Sequence, residues 1–354
     1  MLNRDNNIVF FHWAGLILVV LGHQYVLVGQ QAPAIFGVDC HGLGVRMLFF
    51  VSGFLVTYSC IKSKSILEFY KKRLNRIMPG LIICVMGMVI IIGPLFTKLP
   101  IVEYFKQSWI FALKNVFLNP HFQLADVFSD NPYQNVINGS LWTLPIEMMC
   151  YFMVPMIIGV YSAIKKAKKV FGVVFLVGLT ALLYAWFVLV EFGTISDSFV
   201  CWGTDWIGSI RVVFYFFLGL CAAILHLDKH SDIICAIALL LIYLGVPYNL
   251  GVIIRPFVIS YFVLAVSMTK QSIVSRFLEQ FNYYYVGYLW AFPIQQIVIN
   301  IIIVRCKVYF SPAIMFLISL LFLLIVSVFF YDFVEKKIVN VKKKERTSSV
   351  TAGN

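Results

Sequence analysis

The chain has 354 residues, of which 61% are hydrophobic and only 12% are charged, and its mean hydropathy is +0.90. This composition excludes a water-soluble globular domain, which needs a charged surface. The formal net charge of +12 does not indicate a nucleic-acid partner, because the lysines and arginines gather between apolar runs, where they orient helices and contact anionic lipid.

Apolar runs that are long enough to cross a hydrocarbon layer of roughly 30 Å recur along the whole chain. They predict an all-α fold, a polytopic membrane bundle of about ten transmembrane helices. The predicted spans cover residues 8–28, 43–60, 80–97, 140–160, 170–190, 209–226, 233–247, 255–269, 282–303 and 312–332. We expect residues 1–340 to form one membrane domain and residues 341–354 to form a polar, basic, disordered tail.

The distribution of basic residues predicts the orientation of these spans. Basic residues are dense at 62–76, at 165–169 and in the tail, and they are sparse in the alternate connections. Because cytoplasmic loops are enriched in lysine and arginine, both termini are expected in the cytoplasm of a bacterium, with the chain crossing the inner (cytoplasmic) membrane many times.

The longest connection, at 98–139, is predicted to lie on the outer face. Apolar residues recur there at helical spacing and predict an amphipathic helix followed by a loop. These residues are Phe105, Trp109, Ile110, Leu113 and Phe117.

The eight cysteines show no paired CxxC spacing. Most lie in or beside apolar runs, where cysteine behaves as a small hydrophobic residue. The sequence therefore predicts neither a disulfide nor a metal site.

Two histidines lie in the first predicted span. His12 and His23 are eleven residues apart, so they share one helix face and are roughly 16 Å apart along the axis. His12 is expected near the cytoplasmic edge, where it could be an ordinary interfacial histidine, and His23 about 8 Å below the outer edge. His23 is either a hydrogen-bonded packing residue or a general base within an apolar span.

Glu147 is a carboxylate inside the fourth predicted span, at roughly the depth of His23. A carboxylate near an imidazole can fix its tautomer and stabilise the imidazolium that forms when it accepts a proton. The alternative is a structural carboxylate that bonds to backbone groups freed by Pro145.

Two further segments allow both structural and functional interpretations. Ser52 and Gly53 form a small-residue pair that favours close helix packing, with a nucleophilic Ser52 as the alternative. Arg73 and Arg76 are three residues apart before Pro79, and they could anchor the topology or bind phosphates.

Taken together, these segments resemble the integral-membrane acyltransferase family 3, whose members O-acylate polysaccharides and other acceptors. The first span ends in VVLGH (19–23), which looks like the family's opening helix with an Arg, ten residues and a His. The other motifs that carry the resemblance are GVRMLFFVSGFLVT (44–57), FYKKRLNRIMP (69–79) and WTLPIEMMCYFMVP (142–155), with weaker matches at 211–219, 285–296 and 333–336.

The chemistry of the matched residues suggests their roles. His23 is the expected base or transient acyl carrier, Glu147 is expected to orient it, and the basic segment with Arg73 and Arg76 is expected to attract the donor phosphates. His12 stands where the family usually has arginine, and a neutral imidazole cannot hold a phosphate as a guanidinium does. We nevertheless assign His12 to the donor-binding group.

The family reaction leads to the functional expectation. We expect a membrane-bound O-acyltransferase that moves an acyl group, acetyl in particular, from cytoplasmic acetyl-CoA to a hydroxyl of an extracytoplasmic polysaccharide or glycolipid. The bilayer is the expected surroundings, and no metal is expected. The alternatives are a polytopic proton-coupled transporter or flippase, in which His12, His23 and Glu147 would form a path, and a non-catalytic scaffold.

Overall fold

The computed structural model describes residues 6–195, 199–281 and 283–330. Apart from two short hairpins and the connecting loops, these residues are helical. The principal helices are α1 (Ile8–Leu27), α2 (Cys40–Ile61), α3 (Ile66–Gly87), α4 (Gly93–Phe96), α5 (Ile101–Val116), α6 (Thr143–Ala167), α7 (Lys169–Glu191), α8 (Ile210–Ile224), α9 (Ile233–Leu244), α10 (Tyr248–Met268), α11 (Ile273–Glu279), α12 (Tyr284–Ile299) and α13 (Pro312–Phe330).

The structure also contains two π-helical segments and two short antiparallel hairpins. A π-helical segment at Met88–Ile92 joins α3 to α4, and another at Asn300–Arg305 extends α12. Strands β1 (Ala34–Ile35) and β2 (Val38–Asp39) form an antiparallel hairpin, as do β3 (Val200–Cys201) and β4 (Thr204–Asp205). The predicted tail at 341–354 and the weak family match at 333–336 lie outside the described residues.

The predicted all-α polytopic bundle is confirmed. In the described ranges, eight helical stretches are long and apolar enough to cross a membrane. Helices α8 and α9 are apolar but shorter, and together with the eight they match the ten predicted spans. The domain boundary at 340 stays a prediction.

The basic segment before the third span is helical, although the sequence suggested a loop. The hydroxyl of Ser65 caps α3 by accepting a hydrogen bond from the Glu68 N–H at 3.1 Å. Glu68 also pairs with Lys72 one turn later at 2.8 Å. Because capping and (i, i+4) ion pairs favour helix formation, α3 begins at Ile66, and Arg73 and Arg76 lie on its surface.

Two hydrophobic clusters form the core. One joins buried residues of α2, α6, α7 and α8, and the other joins residues of α3, α5, α12 and α13. Helix α1 contributes Phe11 and Val19 to the first and Leu16 and Val20 to the second. The interior between the two clusters therefore lies along α1.

The predicted helix in the long connection is confirmed as α5. Its buried face is formed by Tyr104, Ser108, Phe111 and Asn115. The apolar residues that predicted the helix point away from the protein, and Trp109 is 57% exposed. This exposed apolar face is typical of a helix that lies in the membrane interface.

Candidate active site

A narrow cavity of about 80 Å³ lies where α1, α2, α3, α6 and α12 meet. This volume holds only a few water molecules. Its walls combine aliphatic side chains with polar groups that could contact a ligand. The polar and aromatic lining residues are His12, Phe49, Ser52, Arg76, Thr143, Glu147, Tyr284, Tyr285 and Tyr288.

Arg76 and His12 meet at Tyr284. The Nη2 of Arg76 donates a hydrogen bond to the Tyr284 hydroxyl at 3.1 Å. The His12 ring stacks on the Tyr284 ring, with centroids 4.1 Å apart and an interplanar angle of 17°. The buried Nδ1 of His12 has no hydrogen-bond partner in the described structure. The structure therefore brings together a guanidinium and an imidazole that the sequence assigned to the donor side.

Arg73 points in another direction from the same helix. Its Nη2 donates a hydrogen bond to the Ser59 hydroxyl at 3.1 Å. Its guanidinium lies 5.9 Å from the ring centroids of both Phe69 and Tyr151. Arg73 is not among the residues that line the cavity, so Arg76 is the arginine placed to meet a ligand there.

Glu147 lines the cavity from the first turns of α6. The Tyr151 hydroxyl, one turn later, donates a hydrogen bond to Glu147 Oε1. Pro145 lies in the first turn of α6, which continues directly from the 3-10 turn Gly139–Trp142. Among the described residues, the hydrogen bond of Glu147 is to the Tyr151 side chain and not to a backbone group, and the role of Glu147 stays a prediction.

His23 lies at a different level of the bundle. Its ring centroid is 5.6 Å from that of His41 and 5.3 Å from that of Phe292, which meets it edge-on. Tyr284 and Phe292 are eight residues apart on α12, or about 12 Å by helical rise. The His23 level is therefore separate from the level where Arg76 binds Tyr284.

The contact expected between Glu147 and His23 is not among the contacts of the described residues. Glu147 bonds to Tyr151, whereas the neighbours of the His23 ring are His41 and Phe292. An acid–base pairing of Glu147 with His23 would require movement. The catalytic roles of both residues stay predictions.

Sequence reasoning missed His41. The second span was predicted to begin at residue 43, but α2 begins at Cys40 and places His41 in its first turn. Gly22 permits the approach, because a Cβ there would overlap the backbone and ring of His41. The signal that could have found His41 is Gly22, directly before His23 on α1, because a glycine there allows another helix to approach closely.

Ser52 and Gly53 have different surroundings. Ser52 lines the cavity. Gly53 packs against α8 so closely that a Cβ would overlap the carbonyl oxygen of Phe216. The close-packing interpretation is therefore confirmed for Gly53.

Comparison with known proteins identifies the family of this chain. The model of the acyltransferase domain family (Acyl_transf_3) matches residues 8–332, nearly the whole chain. The chain belongs to this acyltransferase family. The predicted resemblance and the prediction of an O-acyltransferase are thereby confirmed.

Several curated proteins are similar to this chain. An "O-acetyl transferase" of Shigella phage Sf6 is 30% identical over 294 residues, which cover 80% of this chain and 83% of the phage protein. "Nodulation protein 10" of Rhizobium leguminosarum bv. viciae is 30% identical over 44% of this chain and 42% of its own length. The "O-acetyltransferase OatA" of Staphylococcus aureus is 27% identical over 46% of this chain and 27% of its own length. No solved structure matches the chain.

The acyltransferase family and the apolar helices together define a membrane O-acyltransferase. Within the described ranges, no group of three or more His, Cys, Asp or Glu residues could hold a metal ion.

Proposed function

We propose that this acyltransferase moves an acetyl group from cytoplasmic acetyl-CoA to a hydroxyl of an extracytoplasmic polysaccharide or glycolipid. Relatives named O-acetyl transferases support the choice of acetyl. The observation that carries the proposal is the cavity in which Arg76, His12 and Glu147 meet within the bundle, with His23 on the same helix as His12 but at another level.

The donor end is proposed at Arg76. The basic residues of α3 and the segment before it attract the phosphates of CoA, and the Arg76 guanidinium offers them paired N–H donors. Arg73 adds charge beside it, and His12 packs on Tyr284, which Arg76 also contacts. The flexible arm of CoA would then carry the thioester through the cavity.

The acceptor end is proposed at His23. In the proposed reaction its imidazole takes the proton of the acceptor hydroxyl, whose oxygen attacks the thioester carbonyl. The carbon–sulfur bond breaks, the ester bond forms, and the CoA thiolate leaves and recovers a proton from the imidazolium. Glu147 supplies negative charge along the path, and its hydrogen bond with Tyr151 holds its position.

The test is transfer by the purified chain and by the host. Mass spectrometry of surface polysaccharides from cells with and without the gene should show an acetyl group that depends on it. The full-length protein in lipid nanodiscs should transfer labelled acetyl from acetyl-CoA to that material. Identical acetylation in both strains, together with no transfer in nanodiscs, would rule the proposal out.

A further inference from the structure

Three arginines from different helices converge on one carboxylate at a place separate from the cavity. We call Arg46, Arg211, Arg255 and Glu191 the arginine cluster. Arg46 Nη2 pairs with Glu191 Oε1. Arg211 Nε lies 3.4 Å from the same oxygen, and Arg255 Nη1 lies 3.5 Å from Oε2.

The charges of the arginine cluster do not balance. Three guanidinium groups and one carboxylate leave a formal excess of two positive charges, since 3 − 1 = 2. The side chains of Arg46, Arg255 and Glu191 are only 7%, 2% and 10% exposed. Burying uncompensated positive charge in a membrane protein is unfavourable, so this arrangement is suited to bind an anion.

Unused hydrogen-bond donors support this conclusion. The buried Nη1 of Arg46 and the buried hydroxyl of Tyr215 have no hydrogen-bond partner among the described residues. The Arg46 guanidinium lies 5.8 Å from the Tyr215 ring centroid, so both groups belong to one site. Asp205, near Arg211, accepts a hydrogen bond from the Gly208 N–H at 3.0 Å and forms no ion pair with the three arginines in the described ranges.

The β1–β2 hairpin connects the arginine cluster to the histidine pair. A Cβ at Gly37, whose φ is 72°, would lie 3.2 Å from Arg255 Nη2, so the backbone passes beside the guanidinium. Tyr243 accepts a hydrogen bond from Arg255 Nε at 3.3 Å and donates one to the Phe36 carbonyl at 2.9 Å. The hairpin leads directly into α2, where His41 lies against His23.

We propose that the arginine cluster binds a phosphate-type oxyanion, and that this group is a phosphate carried by the carbohydrate acceptor. The proposal rests on the proposed function, because it names the chemistry of the acceptor. Guanidinium groups bind phosphate through paired, charge-assisted hydrogen bonds. Arg211, whose side chain is 45% exposed, forms the open side. A phospholipid headgroup offers the same chemistry and is the other source to be distinguished.

The first experiment measures binding of pyrophosphate. The full-length protein is placed in phosphatidylcholine nanodiscs, with saturating CoA to occupy the donor site, and is titrated with labelled pyrophosphate. Arg46→Gln and Arg211→Gln should each weaken binding about ten-fold, because each removes a charge-assisted hydrogen bond. Arg46→Lys, which keeps the charge, should retain part of the affinity.

The matched control is Lys98→Gln, which removes an exposed positive charge that pairs with Asp130 and should leave pyrophosphate binding unchanged. If Arg46→Gln does not accumulate, the half-exposed Arg211 still provides the test. Equal affinity in the wild type and in all variants would overturn the site.

The second experiment identifies the source of the anion and separates this proposal from the proposed function. Nanodiscs that contain phosphatidylglycerol should leave pyrophosphate binding intact if the acceptor supplies the phosphate, and competition would assign the site to a lipid headgroup. Acetyl transfer is measured in the same samples. Transfer with unchanged pyrophosphate binding in the variants would rule out only the anion site. Arginine-dependent binding without transfer would leave the anion site standing and rule out the proposed function, and with it the assignment of the anion to the acceptor.

Discussion

At the scale of single residues, the two histidines of α1 differ in their neighbours. His12 stacks on the tyrosine that binds Arg76, whereas His23 meets a second imidazole and the edge of Phe292. Histidine in the first setting packs beside a fixed cation. The buried Nδ1 has no hydrogen-bond partner in either setting among the described residues, so the difference lies in the neighbours: the His23 ring meets His41 and Phe292 rather than a tyrosine bound to a guanidinium, which is the better setting for a proton acceptor.

Replacing His23 with alanine should lower acetyl transfer at least about 100-fold, because general base catalysis contributes roughly that much or more. The amount of protein in the membrane should stay near the wild-type level. The measurement is labelled acetyl transfer per mole of protein. His230→Ala removes an exposed histidine and serves as the control. Wild-type transfer by His23→Ala would rule out His23 as the base, and Ser52, which lines the cavity, would be the next residue to test.

Arg76 and Arg73 should differ in their effect on the donor. Arg76→Gln should raise the KM for acetyl-CoA about ten-fold with a smaller effect on the acceptor, because it removes a charge-assisted contact from the cavity. Arg73→Gln should have the weaker effect, since Arg73 bonds to Ser59 outside the cavity lining. Arg76→Lys should restore the KM only in part. Equal donor saturation curves for the wild type and Arg76→Gln would show that Arg76 does not bind the donor and acts only as a topological anchor.

Sequence reasoning found the residues of the cavity better than those of the arginine cluster. His12, Arg76 and Glu147 each stand out within an apolar or motif-bearing segment, and the structure gathers them. Glu191 was missed because the fifth span was predicted to end one residue before it. Arg255 was taken for a span boundary, although α10 begins a full seven residues earlier at Tyr248. Contacts among separate helices carry no signal in the spacing of one sequence.

At the scale of helices, α2 and α8 cross at close range. Gly53 faces the Phe216 carbonyl, and Gly219 faces the Phe50 carbonyl, each with no room for a Cβ. Small residues at such crossings let two backbones approach in a membrane, where dispersion and packing hold helices together.

Substituting Gly219 with alanine should destabilise the protein by about 1–3 kcal/mol through overpacking. The expected result is a lower midpoint of thermal unfolding in detergent and less protein in the membrane. Gly159→Ala on α6 is the matched control, since a Cβ there meets nothing within 4 Å and alanine favours the helix. Equal midpoints for the two variants would contradict the close crossing.

The existence of the helices was predictable, but their boundaries were not. Long apolar runs require helices in a bilayer because each backbone group must find a partner. The first turns of α3 are rich in charged residues and form no apolar run, so the sequence indicated a loop there instead of a helix. The spacing of apolar residues in α5 correctly predicted a helix. The spacing alone does not show which face packs on the protein, and in the structure the apolar face is exposed and the opposite face is buried.

At the scale of the whole molecule, the proposed reaction needs access from two sides of the membrane. The Arg76 level and the His23 level are separated along α12 by about two turns. If Arg76 faces the cytoplasm, the hairpin, His41 and the arginine cluster lie toward the opposite side, where an acceptor arrives. The orientation of the chain therefore decides whether the donor and acceptor ends are correctly assigned.

Labelling of introduced cysteines tests this orientation. The exposed native cysteines Cys201, Cys235 and Cys306 are first replaced with serine, and acetyl transfer confirms that the background is active. Lys64→Cys and Asp130→Cys then each add one exposed thiol, at positions that the predicted topology puts on opposite sides of the membrane. Because basic segments stay in the cytoplasm, a membrane-impermeant maleimide should label position 130 in intact cells and position 64 only after permeabilisation. The reverse pattern would invert the bundle and place the Arg76 level outside, where no acetyl-CoA is available.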